Sequence, residues 1–587
     1  MILLAIAGWG EEDRRNITTG SIIPDEGYSD QPYVVKTADG AWLCVLTTGK
    51  GVEGEGGQHV ISTRSSDHGR TWSAPVDIEP ASGPEASWAV PFRTPSGRVY
   101  VFYTYNSRNI RRVPGVAEPA IAARVDTLGA FAFRYSDDGG RTWSPTRYEI
   151  PMRKIAADLD NNFGGATVFF WSVGKPLAEG GSVYIPFAKV TRWGMPGVLV
   201  RSRGFLMRSG NLLTEADPSR FAWEMLPEGD EGLTAPKGPI SEETNLTTLS
   251  GGGLYAVYRT IDGYLAHAYS EDKGRTWTPP AYATYSPGGR PIKNPRAFSF
   301  VRRFSNGKYL LWYHNHGGEA AHLREKWDYY ADRNPAWVSG GVERNGRIWW
   351  SEPEILLYDD NPKTRMSYPD WIEDGGRFFI TETQKTVARV HEVDRKLLEG
   401  LWSQFEPGRV AREGLAAEAD GGEIEMPALP DLTTRRGFAL DFWMRLKELS
   451  PGQVILDSRD AGGKGLTLAL SNRSSLVLTL SDGTTRSGWE SDCGTHPGTL
   501  RVNRWQHVSV IVDGGPKIIS FVIDGVFNDG GAARQFGWGR FDASTGDVNG
   551  RKRVPLAPRL FGEVSRFRIY NRLLRTSEAV GNFHAGR

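Results

Sequence analysis

Six times between residues 39 and 383 the chain repeats a tight turn followed by a run that is almost wholly apolar or aromatic. The runs are GAWLCVLTT after Asp39, GRVYVFYTY after Ser96, GSVYIPFAK after Gly180, GGLYAVYRT after Gly251, GKYLLWYHN after Asn306 and GGRFFITET after Asp374. Runs of this length, rich in β-branched and aromatic residues and bounded by Gly, Asn, Asp or Ser, predict strands buried on both faces. Ahead of each lies a more polar segment that reads as a preceding strand. A second pattern, S-x-D-x-G-x-T-W, occurs at Ser65–Trp72, Ser136–Trp143 and Ser270–Trp277, with degenerate versions ending at Trp223, Trp349 and Trp402. Asp accepts backbone N–H bonds across such a turn, Gly supplies a positive φ, and Trp packs between sheets. A long, near-regular period of short strands predicts a β-propeller over residues 20–405. Its six blades become seven if one is degenerate.

Past residue 405 the turn box disappears. FALDFWMRL, GLTLALS, SLVLTLSDG, WQHVSVIVDG and ISFVIDGV alternate apolar and polar positions, the signature of a two-sheet sandwich over residues 409–587. The chain is therefore expected to be all-β, a propeller followed by a jelly-roll sandwich. Its 587 residues exceed what one core serves. Lys and Arg (70) balance Asp and Glu (69) with no basic stripe, so a nucleic-acid partner is not expected. No apolar run reaches about 18 residues, so no membrane partner is expected either. Cys44 and Cys493 lack CxxC or HxxxH companions, and neither a metal nor a cofactor is expected. The start, MILLAIAGWGEEDRR, has no basic n-region and no A-x-A site. It reads as a trimmed export signal or a first strand, and the compartment stays open.

The polar segments carry the chemistry. In a propeller they line the central channel, and here they read YSDQPYVV from Tyr28, GPEASWAVPFR from Gly83, DLDNNFGGATVFF from Asp158, SEETNLTTL from Ser241, IKNPRAFSFV from Ile292 and MSYPDWIED from Met366. Buried polar groups need partners or ligands, so six such strands on one axis predict a polar site. Candidate ligand contacts are Asp30, Gln31, Gln58, Glu85, Asn162, Arg259, Arg296, His314 and Asp370. Histidine titrates near neutrality, which makes His59, at the mouth of a strand after a glycine-rich loop, a candidate proton carrier. His314 and His316, two apart on a predicted strand, would share a face, but with no third ligand they read as substrate contact or structure.

The turn boxes and polar strands resemble the sialidases. The resemblance implies that Glu243 in ETNLTTL and Tyr368 in Ser367-Tyr-Pro-Asp370 are the catalytic glutamate and nucleophilic tyrosine, with Arg259 on the following strand. Two positions depart from it. The arginine that grips the sialic acid carboxylate falls at Asp30, and the acid/base aspartate at His59. A reversed charge at residue 30 argues against a sialidase. The replaced set, Asp30-Gln-Pro-Tyr33 followed by Gly57-Gln-His59, is similar to propeller α-L-rhamnosidases and rhamnose–glucuronate lyases, and more distantly to ulvan lyases. The C-terminal unit resembles laminin-G/concanavalin-like domains. These resemblances imply a glycoside hydrolase that cleaves a rhamnose–uronate type linkage in an acidic oligosaccharide or polysaccharide. His59, Glu243 and Tyr368 would supply the acid–base chemistry. The alternatives are a lyase acting by β-elimination, an exo-α-sialidase and a non-catalytic glycan-binding protein.

Overall fold

A computed structural model describes residues 13–191, 201–319 and 332–587; the segment read as an export signal or first strand lies largely outside them. Six antiparallel sheets follow one another from Ser21 to Val393. The first holds Tyr28–Lys36, Trp42–Gly49, His59–Ser65 and Val76–Asp77 in chain order, innermost strand first. The others begin at Ala86–Arg93, Phe169–Trp171, Glu242–Thr248, Phe300–Arg303 and Ser367–Asp374. Each apolar run of the sequence is the second strand of its sheet, buried along most of its length.

The ring closes by hydrogen bonding. Ser21–Ile23 pairs with Ala388–Val393 as the outer strand of the sixth sheet, while Tyr28–Lys36 packs on Ser367–Asp374. Apolar side chains fill the wedges between sheets: Val34, Trp42 and Cys44 of the first meet Ile372 and Phe379 of the sixth. The turn boxes join third and fourth strands. In the first, Asp67 accepts from the Thr71 N–H (2.9 Å) and Thr71 hydroxyl (2.6 Å), and the Ser65 hydroxyl accepts from the Gly69 N–H (2.8 Å). The boxes at Ser136 and Ser270 repeat this network.

Three local expectations are corrected. Trp402 does not end a turn box; it lies in the helix Arg395–Ser403 and donates its indole N–H to the Tyr309 carbonyl, because Leu397, Leu398, Leu401 and Trp402 form one apolar face. The segment from Asp158 does not begin as a strand but passes through the helical turn Ala156–Leu159, and the third innermost strand starts only at Phe169. The stretch after Ile292 likewise becomes a strand only at Phe300.

The C-terminal sandwich faces a four-stranded sheet (Val454–Asp457, Gly465–Leu470, Leu476–Ser481, Arg486–Glu490) against a seven-stranded one built around Phe438–Leu446, Trp505–Asp513 and Gly562–Tyr570. Its core has period two: Leu466, Leu468 and Leu470, then Leu476, Leu478 and Leu480, against Phe438, Leu440 and Phe442. The sandwich is docked on the fifth sheet of the propeller. Trp337 packs on Phe527 (5.2 Å) and Trp538 (5.7 Å) within a shared apolar cluster. Around it, Glu354 accepts from the N–H groups of Thr576 and Ser577 at the start of the last helix, and Arg290 bridges Glu352 and Asp529.

Truncating a fully buried aromatic costs about 3–5 kcal/mol. Trp337→Ala is therefore expected to lower the melting temperature of the whole chain, with propeller and sandwich losing stability together in calorimetry.

Candidate active site

Four innermost strands break their ladder at the same step. Between Asp30 and Tyr33, Ser87 and Val90, Glu242 and Asn245, and Ser367 and Asp370, two residues face one on the second strand. In each bulge the first extra residue is not glycine yet has positive φ: Gln31 (54°), Trp88 (65°), Glu243 (51°) and Tyr368 (47°). Such a conformation costs on the order of 1–3 kcal/mol and persists where the surroundings enforce it. Its effect is to re-aim a side chain. Successive residues of a regular strand point to opposite faces. Here Glu242 and Glu243 both reach the guanidinium of Arg259, each at 2.8 Å.

These bulges assemble a buried cluster. The Tyr368 hydroxyl donates to Glu243 Oε1 (2.7 Å). Glu242 Oε1 accepts from Arg259 Nε (3.0 Å) and from Arg296 Nε (2.9 Å) and Nη2 (2.7 Å). Arg333 donates to the Ser367 hydroxyl (2.5 Å) and to the Arg296 carbonyl (3.0 Å). Burial works against ionisation of both glutamates. At Glu242 the two arginines outweigh it and the carboxyl sits below its ordinary range. At Glu243 burial prevails over Arg259, helped by the charge of Glu242, and the carboxyl is raised. Burial, with Glu243 alongside, holds the Tyr368 phenol well above its usual range. The pair is thus a protonated phenol against a comparatively basic carboxylate.

A second charged group flanks the ring of Tyr368. The Lys385 ammonium lies 4.5 Å from its centroid and 5.6 Å from that of Trp88. It pairs with Asp30 (2.6 Å) and Glu53 (3.1 Å), and Asp30 also accepts from the Tyr28 hydroxyl (2.8 Å). Lys385 comes from the loop between Arg377–Thr383 and Ala388–Val393, and its carbonyl accepts from the Ser29 N–H. Burial, assisted by Glu53, raises Asp30 despite Lys385. At Glu53 burial is outweighed by Lys385 and Arg124, and that carboxyl is lowered.

The structure brings together Asp30, Glu243, Arg259, Arg296 and Tyr368 of the residues singled out from sequence. Gln31 is in the same ring of bulges and donates to the Ser172 carbonyl (3.4 Å). The others make different contacts. His59 is buried and faces Asp77 (3.5 Å) and Glu26 (3.8 Å) near the outer strand of its sheet, not the Tyr368–Glu243 pair. Gln58 donates to the Val52 carbonyl, and Glu85 accepts from Gly57 N–H and Asn106. Asn162 follows the helical turn and donates to the Pro114 carbonyl. Asp370 turns away from the cluster and accepts from the Val34 N–H (2.8 Å) and Lys175 (2.5 Å), tying three sheets together. The premise that His314 and His316 share a strand face fails. The strand ends at Tyr313, and Asn315 has φ 49°. His316 then stacks on Phe536 of the sandwich (4.7 Å), whereas His314 is buried with Arg333 among its neighbours, and burial holds its imidazole well below the usual range. Sequence reasoning missed Glu53, Trp88, Glu242, Arg333 and Lys385. Glu242, beside Glu243 in a strand already read as polar, was the one with a visible signal.

A model of the BNR repeat-like domain family matches residues 81–380, and one of the concanavalin A-like lectin/glucanases superfamily matches 418–580. No curated protein matches the chain. Among solved structures it is similar to a Trypanosoma rangeli sialidase in complex with 2,3-difluorosialic acid as a covalent intermediate (13% identity, 97% of this chain and 96% of that one, TM-score 0.43). It is also similar to the intramolecular trans-sialidase of Ruminococcus gnavus in complex with oseltamivir carboxylate (12%, 65% and 99%, TM-score 0.43). A third is a Dyadobacter fermentans protein of unknown function (14%, 64% and 98%, TM-score 0.43).

Catalysis that uses Glu243 as a base requires its ionised form, so rate falls as pH drops through its pKa. Because that pKa is raised, the acid limb of kcat/KM is expected above the ordinary glutamate value of about 4.3. A pH–rate profile checks this, and Glu243→Gln removes the limb along with most of the activity.

Proposed function

Because the chain belongs to the BNR repeat-like, sialidase-like family, we propose that it is a retaining glycoside hydrolase that removes a terminal acidic sugar from an oligosaccharide or polysaccharide. The observation that carries this reading is the 2.7 Å hydrogen bond from the Tyr368 hydroxyl to Glu243, whose other oxygen meets Arg259. A phenol is a weak nucleophile while protonated, and a base within hydrogen-bond reach activates it. In the first step Glu243 takes the phenolic proton as Tyr368 Oη attacks the anomeric carbon, and the bond to the leaving oxygen breaks. The leaving oxygen takes its proton from solvent, and Asp30 stays ionised against Lys385. Water then cleaves the glycosyl–tyrosine, returning the sugar with its configuration retained.

The choice of tyrosine also bears on the substrate. An Asp or Glu nucleophile approaches as an anion and is repelled by a carboxylate beside the anomeric carbon. A phenol that yields its proton only during attack avoids that repulsion. Arg259, Arg333 and Lys385 supply the positive charge that a sugar carboxylate requires. Lys385 also changes the weight of Asp30: the charge reversed at residue 30 is answered by an ammonium 2.6 Å away from a neighbouring sheet. A 2-keto acid sugar of the sialic type is therefore compatible with this site, next to the rhamnose–uronate linkage read from the sequence. Elimination is the weaker reading, because it has no use for a nucleophile held by a base.

Digestion of a panel of sialyl- and uronyl-terminated glycans in heavy-oxygen water tests the reaction. Incorporation of one solvent oxygen into the released acidic sugar supports hydrolysis, whereas an unsaturated product absorbing near ~235 nm, a property of the conjugated uronate formed by proton abstraction, overturns it. Tyr368→Phe and Glu243→Gln are each expected to lower kcat by about 10²–10⁴-fold without unfolding the chain. Lys385→Met is expected to act mainly on KM for the acidic substrate.

A further inference from the structure

The propeller axis has a second end. The innermost strands carry their bulges near their beginnings, and the residues that follow converge on another mouth, of about 410 Å³, lined by 34–36, 91–93, 175–178, 245–248, 300–303 and 371–373. All six sheets contribute to it. Its lining includes five cationic side chains, Lys36, Arg93, Lys175, Arg302 and Arg303, and one acidic one, Glu373. Glu373 is engaged at the rim by the N–H and hydroxyl of Ser305. Lys36 is paired with Asp374, and Arg303 lies 6.0 Å from the ring of Tyr309.

The Arg303 Nε is buried without a hydrogen-bond partner, and three further cations come from three different sheets. Lys175 donates to the Val34 carbonyl and to Asp370 Oδ2, both at 2.5 Å. Arg302 lies 3.7 Å from the other oxygen of the same fully buried carboxylate. One acid thus serves two cations, and burial together with the repulsion of Arg302 pushes the Lys175 ammonium down to about 8 in spite of it. Among the described residues the Arg93 side chain makes no hydrogen bond or ion pair, and its Nε is buried without a partner. Guanidinium groups bind oxyanions through paired N–H donors, and an ammonium adds a point charge. An anion among the three would use the donors of Arg93 and relieve the repulsion between Lys175 and Arg302.

We propose that this mouth is a binding site for an oxyanion, held by Arg93, Lys175 and Arg302 at the end of the axis opposite Tyr368. The ligand chemistry is that of phosphate or sulfate, free in solution or carried on a glycan. The site is separate from the reaction assigned to Tyr368, and turnover of a small substrate does not depend on it.

Calorimetric titration of the whole chain with sodium sulfate, against sodium chloride at equal ionic strength, is expected to show saturable binding. The double variant Arg93→Gln/Arg302→Gln is expected to weaken it at least tenfold while keeping the wild-type melting temperature. Crystals soaked in selenate locate the ion directly, independently of any variant. Anomalous density between Arg93 and Lys175 supports the site; its absence there, or equal sulfate binding by the double variant, overturns it. A sulfated disaccharide titrated beside inorganic sulfate identifies the source. Tighter binding of the saccharide assigns the site to a glycan, and tighter binding of the inorganic ion assigns it to a free anion.

Discussion

The β-bulge repeated at Gln31, Trp88, Glu243 and Tyr368 is the constraint on which the site depends. A regular strand would send Glu242 and Glu243 to opposite sides and leave Arg259 with one of them. The bulge puts both carboxylates on one guanidinium and still allows Tyr368, from a bulge in another sheet, to reach Glu243. Left-handed backbone at four non-glycine residues is tolerated because the surrounding ladders are complete on either side and the ring is closed by the strand Ser21–Ile23. Strain at the axis is therefore upheld by hydrogen bonding at the rim, where the turn boxes and the outer strands hold each sheet in register.

Electrostatics then divides the work between two adjacent glutamates. Glu242 is the shared counter-ion of the buried Arg259 and Arg296, and its carboxyl is held below the ordinary range. Glu243 shares Arg259 but is left basic by burial and by its neighbour's charge, which suits it to receive a proton. Removing one partner of such a buried network costs about 3–5 kcal/mol, because the remaining charge is stranded. Glu242 thus preserves the charge of the site and Glu243 acts within it. The same logic links Asp30 and Lys385: a carboxylate buried on the innermost strand is matched by an ammonium delivered from the sixth sheet, at a position where the sequence alone shows an acid.

Most of the fold was legible in the chain, because turns and buried strands are local. The apolar runs at Trp42, Val99, Ser182, Leu254, Tyr309 and Arg377 are second strands, and the Asp of each full turn box caps the turn its spacing implies. The Tyr368–Glu243–Arg259 group was legible through the family pattern. Its company was not. Lys385 stands 355 residues from Asp30 and meets it only because the ring closes, while Arg333 reaches Ser367 from the neighbouring sheet, and nothing local marks either as axial. His59 was placed by counting residues from the turn box, and its side chain follows the sheet outward to Asp77 instead. Asn162 was assigned to a strand that a helical turn replaces, and no periodicity of two or 3.6 distinguishes the two over so short a stretch.

The central claim is that Tyr368 attacks the anomeric carbon of an acidic sugar with Glu243 as its base. Incubation with a fluorinated acidic glycosyl fluoride, which forms the glycosyl–enzyme readily but turns it over slowly, tests this directly by intact-protein mass and peptide mapping. The account predicts one added glycosyl residue, carried on the peptide that contains Tyr368 and absent from Tyr368→Phe. A stable adduct on another residue, or none under conditions where the natural substrate is hydrolysed, would contradict it.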